Sequence, residues 1–231
     1  MHAHLVLVRH GESEGNAQAA FSGWRDVALT ELGGAQAFAS GSKLRELGCV
    51  VDYVCTSQLQ RARETATHLL RGSGQADLLV ASNWRLNERH CGAFQGMGKE
   101  AVKRQFGEDA LRSFRGCWSS APPLAGVGTV DDPRSSSVYE GVEGALPLGE
   151  SMRDLVDRVS LAWREDLLPR LRAGQRLMVV AHAVSLRALA YLIEGQSTEQ
   201  LPDMLWRNAQ ARWYGVNANL SLTGLHDVLP D

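Results

Sequence analysis

His4-Leu5-Val6-Leu7-Val8-Arg9-His10-Gly11-Glu12 opens the chain with a short apolar run that stops abruptly at charged residues. A continuous apolar run of this length, unbroken by polar alternation, is what a strand buried on both faces requires. The pattern recurs. Val51 to Cys55 leads into Thr56-Ser57, and Arg176 to Ala181 leads into His182. The segments between such runs have helical character. Thr30 caps a helix with Leu32, Ala35, Phe38 and Ala39 as its expected core contacts, and a second helix runs from Arg61 to Leu70. Ser151 starts a longer amphipathic helix with Leu155, Val159, Ala162, Trp163 and Leu167 on one face, and Leu186, Leu189 and Leu192 mark another after His182. Leu78 to Ala81, Ala211 to Val216 and Ser221 to Leu225 are further strand candidates.

Strands alternating with helices predict an α/β three-layer sandwich with a mostly parallel central sheet. Ligands of such folds sit beyond the carboxyl ends of the strands. Arg9-His10, Thr56-Ser57 and His182 all follow strands, so the expected topology gathers them at one edge. Trp84 to Gly98 is polar and reads as a loop; Cys117 to Glu150 holds five Gly and four Pro without periodicity and reads as a long loop or lid insertion within a single domain of residues 1–231.

The 231 residues carry a formal net charge of -2, so no bulk field favours nucleic acid or an anionic membrane, and anion binding has to come from a local arginine cluster. No apolar stretch approaches the roughly 20 residues of a membrane helix. The start, Met-His-Ala-His, lacks the pattern of a signal peptide, which makes a cytoplasmic protein the expectation. Cys49, Cys55, Cys91 and Cys117 have neither metal-site nor disulfide spacing and read as reduced thiols. A reactive Cys91 would need a lowered pKa, for which only the neighbouring Arg89 and His90 speak. The six tryptophans are scattered and fit packing better than ligand stacking.

Arg9 places a permanent cation beside His10, Gly11 allows close backbone approach, and Ser13 and Asn16 add donors in the next turn. Phosphoryl transfer needs this set: a nucleophile, cations around the equatorial oxygens, and a proton donor for the leaving oxygen. A neutral imidazole serves as nucleophile when a carbonyl holds its N–H and turns the other nitrogen to phosphorus. Arg9 and Arg61 would bind the phosphoryl oxygens, His182 would add a donor when protonated, and Glu88, if partly buried, is the candidate general acid and base. No carboxylate set of magnesium-site character accompanies them, so no metal is expected.

Together these residues resemble the histidine phosphatase superfamily. The run from Leu5 to Asn16 is joined by Phe21-Ser22-Gly23-Trp24, Thr30-Glu31-Leu32-Gly33, Thr56-Ser57 with Arg61-Ala62 and Thr65-Ala66, and Ala181-His182 with Ser185-Leu186-Arg187-Ala188. Trp84-Arg85-Leu86-Asn87-Glu88-Arg89-His90 and Gly92-Ala93-Phe94-Gln95-Gly96 are similar to the cofactor-dependent phosphoglycerate mutase branch in particular, and Leu146 to Ser151 extends the likeness. The resemblance spans roughly residues 4 to 216. It implies phosphorylation of His10, proton transfer by Glu88 and stabilisation by His182. Phosphate contacts would come from Arg9, Asn16, Ser22, Gly23 and Arg61, and contacts to the rest of a phosphoglycerate from Arg89, Lys99 and Arg115.

It further implies interconversion of 2- and 3-phosphoglycerate primed by 2,3-bisphosphoglycerate, or hydrolysis of a small phosphomonoester. The expected partner is a small phosphorylated metabolite, and a homodimer is the common assembly; a non-catalytic role is the weakest reading. The pattern breaks in the pocket. Cys91 stands where the mutases have Tyr, Gly116 replaces the second of two arginines, and His182-Ala183-Val184-Ser185 replaces His-Gly-Asn-Ser. Asn208-Ala209-Gln210 takes the place of a Pro-Thr-Gly turn.

Overall fold

The computed structural model describes residues 3–142, 144–195, 197, 198, 204–217 and 222–230. Six strands form one sheet: β1 (His4–Arg9), β2 (Tyr53–Thr56), β3 (Val80–Ser82), β4 (Arg176–Ala181), β5 (Ala211–Val216) and β6 (Leu222–Val228), in the order β3-β2-β4-β1-β5-β6. The first four are mutually parallel, while β5 and β6 add an antiparallel edge. The helices, numbered in chain order, begin with α1 (Glu14–Ala17), and α5 is Glu108–Gly116. Side-chain alternation along β1 and β4 divides the core in two. Leu5, Leu7, Leu177 and Val179 pack with α6 (Met152–Ala162) and α8 (Ala183–Glu194). Val6, Val8, Met178 and Val180 pack on the other face with α2 (Glu31–Glu46) and α3 (Gln60–Ser73). The architecture is the expected sandwich.

Register decides where the chemistry lies. Arg9 pairs with Ala181, and Thr56 pairs with Val180, so β1, β4 and β2 end at one level. The next residues, His10, His182 and Ser57, therefore leave the sheet side by side.

Several local expectations are corrected. In α2 the exposed positions are those expected inside: Leu32 is 55% and Phe38 49% accessible. Its buried face is Gly33, Gly34, Ala37, Ser40, Gly41 and Leu44. The cause is close helix contact: a Cβ at Gly41 would stand 2.1 Å from the Leu69 carbonyl oxygen, and one at Gly72 would stand 2.2 Å from that of Phe38. Backbones this near leave no room for large side chains between them. The third strand begins at Val80 rather than Leu78, and the final strand extends to Val228; Ser221, its expected start, lies outside the described residues. The helix from Ser151 continues through a π-type turn (Trp163–Leu167) into α7 (Leu168–Arg172), with Trp163 only partly buried. Residues 117–150 carry two single turns and are tied to the body. Asp131 accepts two bonds from Arg25 at 2.7 and 2.9 Å and one from Gln95 at 3.1 Å, and Tyr139 stacks on Trp24 at 5.1 Å.

Candidate active site

His10 is 4% exposed, and its Nδ1 lies 2.7 Å from the Gly11 carbonyl oxygen. A carbonyl only accepts, so Nδ1 carries the proton and Nε2 keeps a free lone pair. Burial first, then the cations of Arg61 and Arg9, hold the ring's pKa well below its ordinary value; the Gly11 bond opposes them. The imidazole is thus neutral at physiological pH and nucleophilic at Nε2.

Gly11 has a packing role as well. A Cβ there would stand 2.2 Å from the Gly33 carbonyl oxygen, so glycine lets α2 close against the His10 loop. The Gly11 N–H donates to Thr65 Oγ1 at 3.0 Å, and Thr65 donates to the Arg61 carbonyl at 2.7 Å, which links the nucleophile's loop to α3.

His182 is fully buried, with its ring centre 5.1 Å from that of His10. Its Nε2 lies 2.7 Å from Ser57 Oγ, which also accepts from the Leu59 N–H at 3.2 Å. The hydroxyl oxygen has a second lone pair, so the Ser57–His182 contact accommodates either neutral tautomer of the ring. The His182 Nδ1 is buried without a hydrogen-bond partner among the described residues. Burial, then Arg61, His10 and Arg9, keep the ring neutral.

Arg61 is 1% exposed and anchors to the carbonyls of Arg25 (3.0 Å) and Gly23 (2.8 Å); burial brings its pKa down to about 10, which still leaves it charged. Arg9 donates to the Trp206 carbonyl at 2.6 Å, and its Nε is buried without a partner among the described residues. Asn16 Oδ1 accepts from Ser13 N–H, Ser13 Oγ and Asn208 Nδ2, which leaves the Asn16 amide donor for a ligand. Gly23 has a φ of +51°, and a Cβ there would stand 2.2 Å from Gln95 Oε1; only glycine suits the position.

Glu88 is half-buried. Its carboxylate accepts from the N–H of Arg89 at 2.8 Å and of Val184, in the first turn of α8, at 3.3 Å. Sequence reading missed what holds it in place. Arg158, on α6, forms a buried pair with Glu150 at 2.6 Å and donates to the carbonyls of Arg85, Asn87 and Glu88. Trp24 Nε1 adds a bond to the Glu88 carbonyl at 2.6 Å. No local motif marks Arg158 in the sequence, because the carbonyls it holds are some 70 residues away along the chain.

These groups line a cavity of about 660 Å³ that includes Arg9, His10, Ser13, Asn16, Ser22, Gly23, Arg61, Glu88, Arg89 and Arg115. Lys99 lies outside it, exposed at the start of α4 (Lys99–Phe106), while Lys103 one turn later lines the wall. Arg187 of α8 also lines it, a residue the sequence marked only as part of a resemblance. The thiol of Cys91 is buried and pushed up to about 12, the opposite of a reactive cysteine. Among the described residues no group of three metal-ligating side chains collects anywhere, and no helix is long and apolar enough to cross a membrane.

Comparison with known proteins matches residues 5–220 to the family model of the histidine phosphatase superfamily (branch 1). A 2,3-bisphosphoglycerate-dependent phosphoglycerate mutase of Staphylococcus carnosus (strain TM300) is 37% identical over 223 residues, covering 96% of this chain and 98% of the relative. One from Neisseria meningitidis serogroup B is 37% identical over 219 residues, with 94% and 96% covered. In three dimensions the chain is similar to a mycobacterial glucosyl-3-phosphoglycerate phosphatase complexed with VO3 (TM-score 0.71, 23% identity, 99% and 98% covered). It is similar also to the alpha-ribazole phosphatase of Shigella flexneri (TM-score 0.70, 22% identity, 99% and 96% covered), a likeness of fold.

Proposed function

Because this chain belongs to the histidine phosphatase superfamily, we propose that it is a phosphoglycerate mutase-type enzyme that carries the phosphoryl group on His10 and interconverts 2- and 3-phosphoglycerate. One observation carries the mechanism: a neutral imidazole fixed by the Gly11 carbonyl, its free Nε2 flanked by Arg9 and Arg61. Nε2 attacks phosphorus, and the P–N bond forms as the bond to the ester oxygen breaks. Glu88 supplies the proton to that oxygen. Arg9, Arg61, the Asn16 amide and the His182 ring hold the equatorial oxygens, where charge builds in transfer. In the return step Glu88 takes the proton of the accepting hydroxyl and Nε2 is released.

A bisphosphorylated glycerate serves as priming donor in this reading; Ser22 and Gly23 would complete its phosphate seat, and Arg89 and Arg115 would hold its distal anion. The substrate is then a small phosphorylated metabolite, and the enzyme a cytoplasmic homodimer. Gly116 and Val184 favour a second reading, hydrolysis. A charge-assisted contact is worth about 1.5–3 kcal/mol, and a pocket without the second arginine and the asparagine holds its intermediate less firmly, leaving phospho-His10 to water. Incubation with 3-phosphoglycerate, with and without 2,3-bisphosphoglycerate, separates the two. Isomerisation that depends on the bisphosphate supports the mutase; rapid phosphate release without isomerisation rejects it.

A further inference from the structure

We propose that Arg187 is a ligand for the distal anion of the substrate and stands in for the cation absent at Gly116. The inference rests on the reading that the substrate bears two anionic groups, one of them transferred to His10.

Arg187 is half-buried in the second turn of α8 and lines the main cavity together with Arg115 and Gly116. A small adjoining cavity of about 30 Å³ shares Arg89, Arg115, Gly116, Val184 and Arg187 with the main one, but touches none of His10, Arg9 or Arg61. These five residues therefore mark the end of the site away from the nucleophile. The Arg187 Nε is tied to the Met204 carbonyl at 3.0 Å, which fixes the stem of a side chain that lines both cavities.

Its electrostatic surroundings are unbalanced. Burial lowers its pKa, Glu88 raises it and Arg115 lowers it. Arg187 in turn lowers the pKa of Arg9 and of Arg89. Arg187 thus feels the guanidinium groups of Arg9, Arg89 and Arg115 across a space in which Glu88, assigned to proton transfer, is the carboxylate that acts on Arg9, Arg89 and Arg187 alike. A carboxylate or second phosphate bound between Arg115 and Arg187 relieves that repulsion and accepts two charge-assisted bonds. At Gly116 a Cβ would meet nothing within 4 Å, so the place of the second family arginine is open space rather than filled by another side chain.

The test compares two non-transferable probes, ethane-1,2-bisphosphonate with two anions and inorganic phosphate with one, by calorimetry. At about 1.5–3 kcal/mol for one charge-assisted contact, Arg187→Gln is expected to weaken bisphosphonate binding about 10- to 150-fold. Phosphate, seated at His10, is expected to change less than twofold. Adding Gly116→Arg to the Arg187→Gln protein is expected to restore most of the lost bisphosphonate affinity. Arg187→Lys keeps the charge but loses the Met204 bond, and is expected to stay within about threefold of the native protein. Equal losses for both probes, or a lysine variant as poor as the glutamine one, would mean that Arg187 only braces the fold and would overturn the proposal, as would unchanged bisphosphonate binding. Isomerisation by the native enzyme is scored separately. A native protein that only hydrolyses phosphomonoesters yet shows this discrimination would refute the mutase reading and leave the anion seat standing.

Discussion

Lowering the pH from 7.5 to 5.5 separates the two consequences of burying His10 and His182. Burial and the neighbouring arginines keep both rings neutral in the fold, whereas in the unfolded chain each titrates near the ordinary value of about 6.5. Below that value the unfolded chain binds protons that the folded chain refuses, so acid favours unfolding. For a ring that stays neutral in the fold throughout this interval, linkage gives a loss of about 1.4 kcal/mol, and the two rings together about 2.7 kcal/mol. That is a large share of a typical domain's 5–15 kcal/mol. Urea unfolding followed by tryptophan fluorescence at the two pH values, at constant ionic strength, measures the loss. The decisive comparison is His10→Gln, which cannot titrate there. Other groups contribute equally to both proteins, so the variant should lose about 1.4 kcal/mol less than the native chain over this interval. If both lose the same amount within a few tenths of a kcal/mol, the imidazole is not held neutral, and the case for Nε2 as a ready nucleophile falls with it.

Four further outcomes follow from the site. Glu88→Gln should lower kcat by roughly 10²–10⁴-fold while orthophosphate binding persists, since it removes proton transfer and leaves the arginines. Ser57→Ala removes the hydroxyl beside His182 Nε2 and should change the ring's ¹⁵N resonances and lower kcat more than it raises KM; unchanged resonances would show that the two side chains are not bonded. Arg158→Ala leaves Glu150 buried without its partner and should cost about 3–5 kcal/mol in urea unfolding. Lys99→Ala should alter KM less than twofold and Lys103→Ala more, because only Lys103 lines the cavity; a larger effect at Lys99 would show that α4 moves inward around the substrate.

The catalytic half of the site was legible because each of its parts ends a strand or sits in a short motif. A buried apolar run followed by Arg9-His10, and another followed by His182, leaves few choices for where those residues emerge once the strands are parallel. The glycine-rich face of α2 was not legible. Leu32 and Phe38 are the hydrophobic choices by composition, yet contact with α3 is so close that only Gly33, Gly34, Ala37 and Gly41 fit between the backbones. The outer pocket was read through resemblance alone, and that named Lys99 where the structure brings Lys103 to the wall.

By itself the sequence determined the layered α/β architecture and the end of the sheet at which His10, Ser57 and His182 emerge, because strand periodicity and residue type are local properties. Only the tertiary structure decided the proton's place on the His10 imidazole, the support of Glu88 by Arg158 and Trp24, and the electrostatic coupling of Arg187 to Arg115. The first depends on which way the Gly11 carbonyl turns, which residue type does not fix, and the others join residues far apart in the chain that no spacing along it records.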